Sequence, residues 1–79
     1  MMNVFVDDMH KTLREALMLK YEGEIAAARA NINVYLHQSV GIGEHPDIVS
    51  AIDQEVEKMA HAEEKLLAIK KHFVPERVV

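Results

Sequence analysis

With 79 residues and no cysteine, the chain is long enough for one small domain and cannot form disulfides or thiolate metal sites. Its net charge of −4 and its scattered lysines and arginines argue against a nucleic-acid partner, which requires a concentrated basic surface. No apolar run approaches the ~18 residues of a membrane span, and the N-terminus lacks the basic and apolar regions of a signal peptide. We therefore expect a soluble, intracellular protein that does not insert into a membrane.

The first predicted element is a long helix over residues 7–38. Residues 1–6 form a short apolar tail, and Asp7 and Asp8 offer an N-cap and acid for the first turn. Apolar residues then recur at alternating spacings of three and four, which is the seam of a coiled coil. The members of this seam are Met18, Tyr21, Ile25, Ala28, Ile32 and Tyr35, with Leu13 and Leu17 extending it towards the N-terminus.

A helical corner is predicted between the two halves of the chain. Gly41 or Gly43 can take the positive φ that ends a helix, and Pro46 suits the first turn of the next one. Asp47 then lies in the positive first turn. The corner therefore joins two helices, and we expect its glycines and proline to serve geometry.

The second predicted helix covers residues 46–73, and Pro75 prevents much continuation beyond it. Lys70 and Lys71 lie in its last turn, as the helix dipole favours. Its predicted apolar stripe consists of Ile48, Ile52, Val56, Met59, Ala62, Leu66, Ile69 and Phe73.

These elements predict an all-α fold, a two-helix antiparallel hairpin that forms a single domain over residues 1–79, with short apolar tails at 1–6 and 74–79. A core of this size rarely contributes more than ~3–5 kcal/mol, so a partner chain or a metal usually adds to it. Much apolar surface lies off the seam, and a second hairpin can cover it in a dimeric four-helix bundle. Gly23, Ala27 and Ala30 form a small-residue patch on the first helix and are the candidate interface.

Five histidines raise the alternative of a small helical bundle that binds a metal through histidine and carboxylate. Glu57 and His61 are four residues apart on one helix face, and His37 and His45 flank the corner. The Glu-x-x-His motif of di-iron bundles is missing, and apolar residues occupy the positions of their inward glutamates. We therefore expect solvated side chains at these positions, with no bound metal or cofactor.

The chain resembles short, uncharacterised proteins encoded by tailed phages of marine cyanobacteria and found in ocean metagenomes. The likeness covers roughly residues 30–73, from Val34-Tyr35-Leu36-His37 to Lys70-Lys71-His72-Phe73, and its most specific part is Val40-Gly41-Ile42-Gly43-Glu44-His45-Pro46. It implies a phage or environmental origin and expression in the cytoplasm of a bacterial host. It implies no activity and no functional residues.

The sequence contains no recognisable arrangement of catalytic residues. The serines, Ser39 and Ser50, have no evident acid–base partner, and two helices hardly enclose a pocket. The expectation is therefore a non-enzymatic accessory or structural protein that acts through self-association and contact with another phage or host protein.

Overall fold

The structure, a computed structural model, describes residues 4–38 and 46–74. It contains two α-helices, α1 over Val4–Gln38 and α2 over Pro46–Phe73, and the described residues include no strand. The prediction of an all-α chain with two long helices is therefore confirmed. The predicted positive φ at Gly41 or Gly43 lies outside the described residues.

Helix α1 begins earlier than the sequence predicts. Its first residue is Val4, so part of the predicted apolar tail is helical and Asp7 and Asp8 lie inside the helix instead of at its N-cap. The reason is that the residues from Val4 to Val6 include neither proline nor glycine, the two residues that strongly oppose a helix. The predicted end of the helix, at Gln38, is correct.

Helix α2 has the bounds that the sequence predicts. Pro46 is its first residue, where the missing N–H costs no helical hydrogen bond. Asp47 lies in the first turn, and Lys70, Lys71 and His72 lie in the last, so charges of both signs complement the helix dipole.

Two contacts between the helices show that they run antiparallel. The Asn31 side chain donates a hydrogen bond to Glu55 over 3.1 Å. Ten residues earlier on α1, the Tyr21 ring centre lies 5.7 Å from Nζ of Lys65, which is ten residues later on α2. Positions therefore match in opposite directions along the two helices, as in a hairpin.

The seam of α1 is largely as predicted. Ala28 is buried, and Met18, Tyr21, Ile25, Ile32 and Tyr35 are half-buried. The predicted extension is correct for Leu17, which is half-buried, and wrong for Leu13, whose side chain is 61% exposed. Helical spacing places Arg14 on the seam in its stead, four residues before Met18, and Arg14 is half-buried.

The predicted stripe of α2 contains one error in its middle and one at its end. Val56 is 46% exposed, and the buried residue is its neighbour Glu55. With Glu55 the spacing from Ile48 to Ile69 alternates regularly between four and three, whereas Val56 breaks that alternation. Phe73, at the end of the helix, is also exposed.

The fully buried core is very small. Among the described residues, the buried apolar side chains are Ala28, which is 2% exposed, and Ala62, which is 1% exposed. The larger seam residues are each covered on one side alone, because two helices can shield one stripe of each other and nothing more.

Candidate functional site

A polar contact occupies the middle of the seam. Glu55 is 8% exposed and accepts hydrogen bonds from Asn31 and from Lys58, each over 3.1 Å. Lys58 follows Glu55 by three residues, so helical geometry brings it over the carboxylate. The buried carboxylate is thus held by one partner from each helix, which meets the requirement that buried charge be paired.

These hydrogen bonds change the acidity of Glu55. The bond from Asn31, followed by the bond from Lys58, lowers the pKa of Glu55 below its ordinary value of 4.5, although burial acts in the opposite direction. The carboxylate is therefore ionised at neutral pH, and its charged form is stabilised by the fold.

We expect the stability of the protein to depend on pH through Glu55. Because the folded pKa lies below 4.5, the ionised group adds stability at neutral pH, and this is lost as the pH falls from 4.5 through the folded pKa. Urea unfolding between pH 7 and pH 3 should show a smaller loss of stability for Glu55→Gln than for the native chain.

The matched control is Glu24→Gln. Glu24 also has a lowered pKa, through its 2.6 Å hydrogen bond with Lys20, but that pair is exposed and contributes little. A pH profile that Glu24→Gln flattens as much as Glu55→Gln would contradict the role given to the buried carboxylate.

A groove of about 360 Å³ lies along this side of the hairpin, beside the polar contact. It is floored by the two buried alanines and is open to solvent. Its lining residues are Glu24, Ala27, Ala28, Asn31, Glu55, Lys58, His61, Ala62 and Lys65. Lysines and glutamates neutralise each other along it, and its lining contains no hydroxyl or thiol side chain.

The aromatic ring of Tyr21 is flanked by two cations. Nζ of Lys20 and Nζ of Lys65 each lie 5.7 Å from the ring centre, one from each helix. Exposed contacts of this kind contribute roughly 0.5–1 kcal/mol each. Because the two lysines come from different helices, these contacts join α1 to α2 on the same side of the hairpin as the groove.

The residues weighed for a metal site are not brought together where the structure describes them. Glu57 and His61 are both exposed, and His61 lines the groove while Glu57 does not. His37 donates through Nδ1 to the carbonyl oxygen of Asn33 over 2.7 Å. Within residues 4–38 and 46–74, no group of three histidines or carboxylates is placed to hold a metal ion. His45 lies outside the described residues.

The candidate interface of Gly23, Ala27 and Ala30 is exposed throughout. A Cβ added to Gly23 would meet no atom within 4 Å, so no packing inside the hairpin requires glycine there. Gly23 costs about 1 kcal/mol relative to alanine in a helix interior. The patch is thus available to a partner, and its use as an interface stays a prediction.

Large apolar side chains are exposed along both described helices. Their spacing already predicts positions off the seam for Leu19, Val34, Leu36, Val49 and Leu67. Nine large apolar side chains of these helices are at least 46% exposed: Met9, Leu13, Leu19, Val34, Leu36, Val49, Val56, Leu67 and Phe73. A shallow groove of about 530 Å³ lies among Ile25, Ala60, Glu63, Glu64, Leu66 and Leu67. The described surface therefore contains more apolar area than a solvated hairpin needs.

Comparison with protein-family models, with curated proteins and with solved structures finds no match to this chain. In the described part of the chain, neither helix has an apolar stretch long enough to cross a membrane.

Proposed function

We propose that the protein is a small, non-enzymatic accessory or structural protein that acts through helix–helix self-association and through contact with another protein. The resemblance of its corner and second helix to phage-encoded proteins supplies the setting, which is the cytoplasm of an infected bacterium. Self-association produces a homodimer in which two hairpins form a four-helix bundle.

The observation that carries this proposal is the imbalance between buried and exposed apolar side chains. Among the described residues, two alanines are buried, whereas nine large apolar side chains are at least 46% exposed. A protein held together by its own core normally shows the opposite ratio, because burial of large side chains supplies most of the folding free energy. A second copy of the chain would supply the missing burial.

Sedimentation equilibrium at micromolar concentration tests the proposal. We expect the mass of a dimer, and a melting temperature that rises with protein concentration because dissociation accompanies unfolding. Circular dichroism on the same samples reports whether the chain is helical. A monomer that keeps its full helix content at these concentrations would overturn the proposal.

A further inference from the structure

We propose that the second copy of the chain packs on one defined side of the hairpin, here called the apolar flank, which consists of Leu19, Ala26, Leu36, Val49, Val56, Ala60 and Leu67. This inference rests on the proposed self-association and specifies its interface. It replaces the patch of Gly23, Ala27 and Ala30 with a different surface.

The apolar flank lies across the seam from the groove. Residues seven apart share a helix face, which groups Leu19 with Ala26 on α1 and groups Val49 with Val56, and Ala60 with Leu67, on α2. These positions follow the seam on the side opposite to Glu24, Asn31, Lys58 and Lys65. The polar contacts of the hairpin and its large apolar residues are therefore largely separated on two sides.

Most of the large exposed apolar residues of the described chain lie on this flank. Five of the nine large exposed apolar residues belong to it, namely Leu19, Leu36, Val49, Val56 and Leu67. The groove side contains Leu13 and Val34, with Lys20, Lys58 and Lys65 between them along the rod. Covering the groove side would bury several lysines, which is costly unless each is paired.

The flank is self-complementary along its length, as a two-fold dimer requires. The register set by Asn31 and Glu55 places Leu19 level with Leu67, Ala26 with Ala60, and Leu36 with Val49. Large pairs thus stand at both ends and a pair of alanines stands near the middle. A two-fold axis in the plane of the interface can run along the hairpin or across it. In both cases the large pairs of one copy meet large pairs of the other, and the alanines permit close approach.

Charged residues also share this side, and they include both signs. Glu22, Asp53 and Glu63 are acidic, and Arg29 and Lys70 are basic; all are exposed in the single chain. In the register set by Asn31 and Glu55 they lie between the apolar pairs, with Glu22 and Glu63 between the Leu19/Leu67 and Ala26/Ala60 pairs. The interface therefore requires their charged ends to extend to its edge, where they pair or remain in contact with water while their apolar stems stay covered.

Two matched substitutions test the choice of side. Leu67 lies on the apolar flank and is 69% exposed in the single chain, and Leu13 lies on the groove side with a similar exposure of 61%. In sedimentation equilibrium we expect Leu67→Glu to raise the dimer dissociation constant at least 100-fold and Leu13→Glu to change it less than threefold.

Thiol labelling provides a second measurement that does not require dissociation. The chain has no cysteine, so single-cysteine variants report on one position each. At a concentration where the native chain is dimeric, the thiol of Leu67→Cys should react with a maleimide at least tenfold more slowly than the thiol of Leu13→Cys. The two rates should become equal in urea, where both chains are unfolded.

The outcomes separate this inference from the proposed function. A dimer in which the Leu67→Cys thiol reacts as fast as the Leu13→Cys thiol would overturn the inference and leave self-association intact. Dissociation by Ala27→Glu without an effect of Leu67→Glu would point to the patch of Gly23, Ala27 and Ala30. A folded monomeric native chain would overturn both.

Discussion

Replacing Ala62 with aspartate is expected to lower the free energy of unfolding by about 3 kcal/mol or more, which would leave much of the chain unfolded. Ala62 is 1% exposed and forms the floor of the groove together with Ala28, where the two helices pack. An aspartate there adds volume and a charge at this contact, so it forces the helices apart and loses part of its hydration. Circular dichroism and urea unfolding at neutral pH measure the loss.

The control for this prediction is Ala68→Asp. Ala68 belongs to the same helix but is exposed, so the substitution there costs the lower helix propensity of aspartate without burying a charge. The difference between the two urea midpoints isolates the cost of burial. Equal midpoints would mean that the two helices do not pack closely at Ala62.

The sequence predicts each helix as well as its apolar pattern is regular. On α1 the spacing from Met18 to Tyr35 alternates strictly between three and four, and every one of those positions is at least half-buried. The ends of α2 can also be predicted from the sequence, because Pro46 suits the first helical position and Pro75 opposes continuation.

The predicted stripe of α2 is wrong at Val56 because the apolar residue nearest to the regular spacing is not the residue that is buried. Position 55 continues the regular repeat but holds a glutamate, and the adjacent valine is exposed. Glutamate is rarely buried unless it is paired, and its partners come from Asn31 on the other helix and Lys58 on its own. The cross-helix partner depends on the register, which the sequence leaves open, whereas strict use of the repeat would have identified position 55.

The sequence predicts that a hairpin of this size leaves apolar surface for a partner, whereas the side on which a second chain packs stays a proposal. Composition and size indicate that a single hairpin leaves apolar surface exposed, but they do not say on which side. Because Glu55 and not Val56 lies in the seam, Val56 lies on the same exposed side of α2 as Leu67. The small residues Gly23, Ala27 and Ala30 favour close approach, whereas burial of the larger apolar residues contributes more free energy.

Replacing Glu55, the polar residue in the seam, is expected to have the second large effect, which is a change in the stability and in the number of chains of the assembly. We expect Glu55→Leu to raise the urea midpoint, because replacing a buried charge with an apolar residue of similar volume removes its desolvation cost and is often neutral or stabilising. Asn31 would then lose its partner at little cost, since it is exposed and water can replace the carboxylate.

The same substitution should make the assembly less uniform. A polar residue at a seam position favours one register and one number of helices, because other arrangements leave it buried without a partner. With leucine at position 55, registers shifted by one repeat become closer in energy, and sedimentation velocity should show trimers or tetramers beside the dimer. Glu57→Leu, on the exposed face of the same helix, is the control for added apolar surface. If Glu55→Leu is less stable than the native chain and sediments as one species, the contact with Asn31 and Lys58 acts as net stabilisation, and register is set by the apolar residues alone.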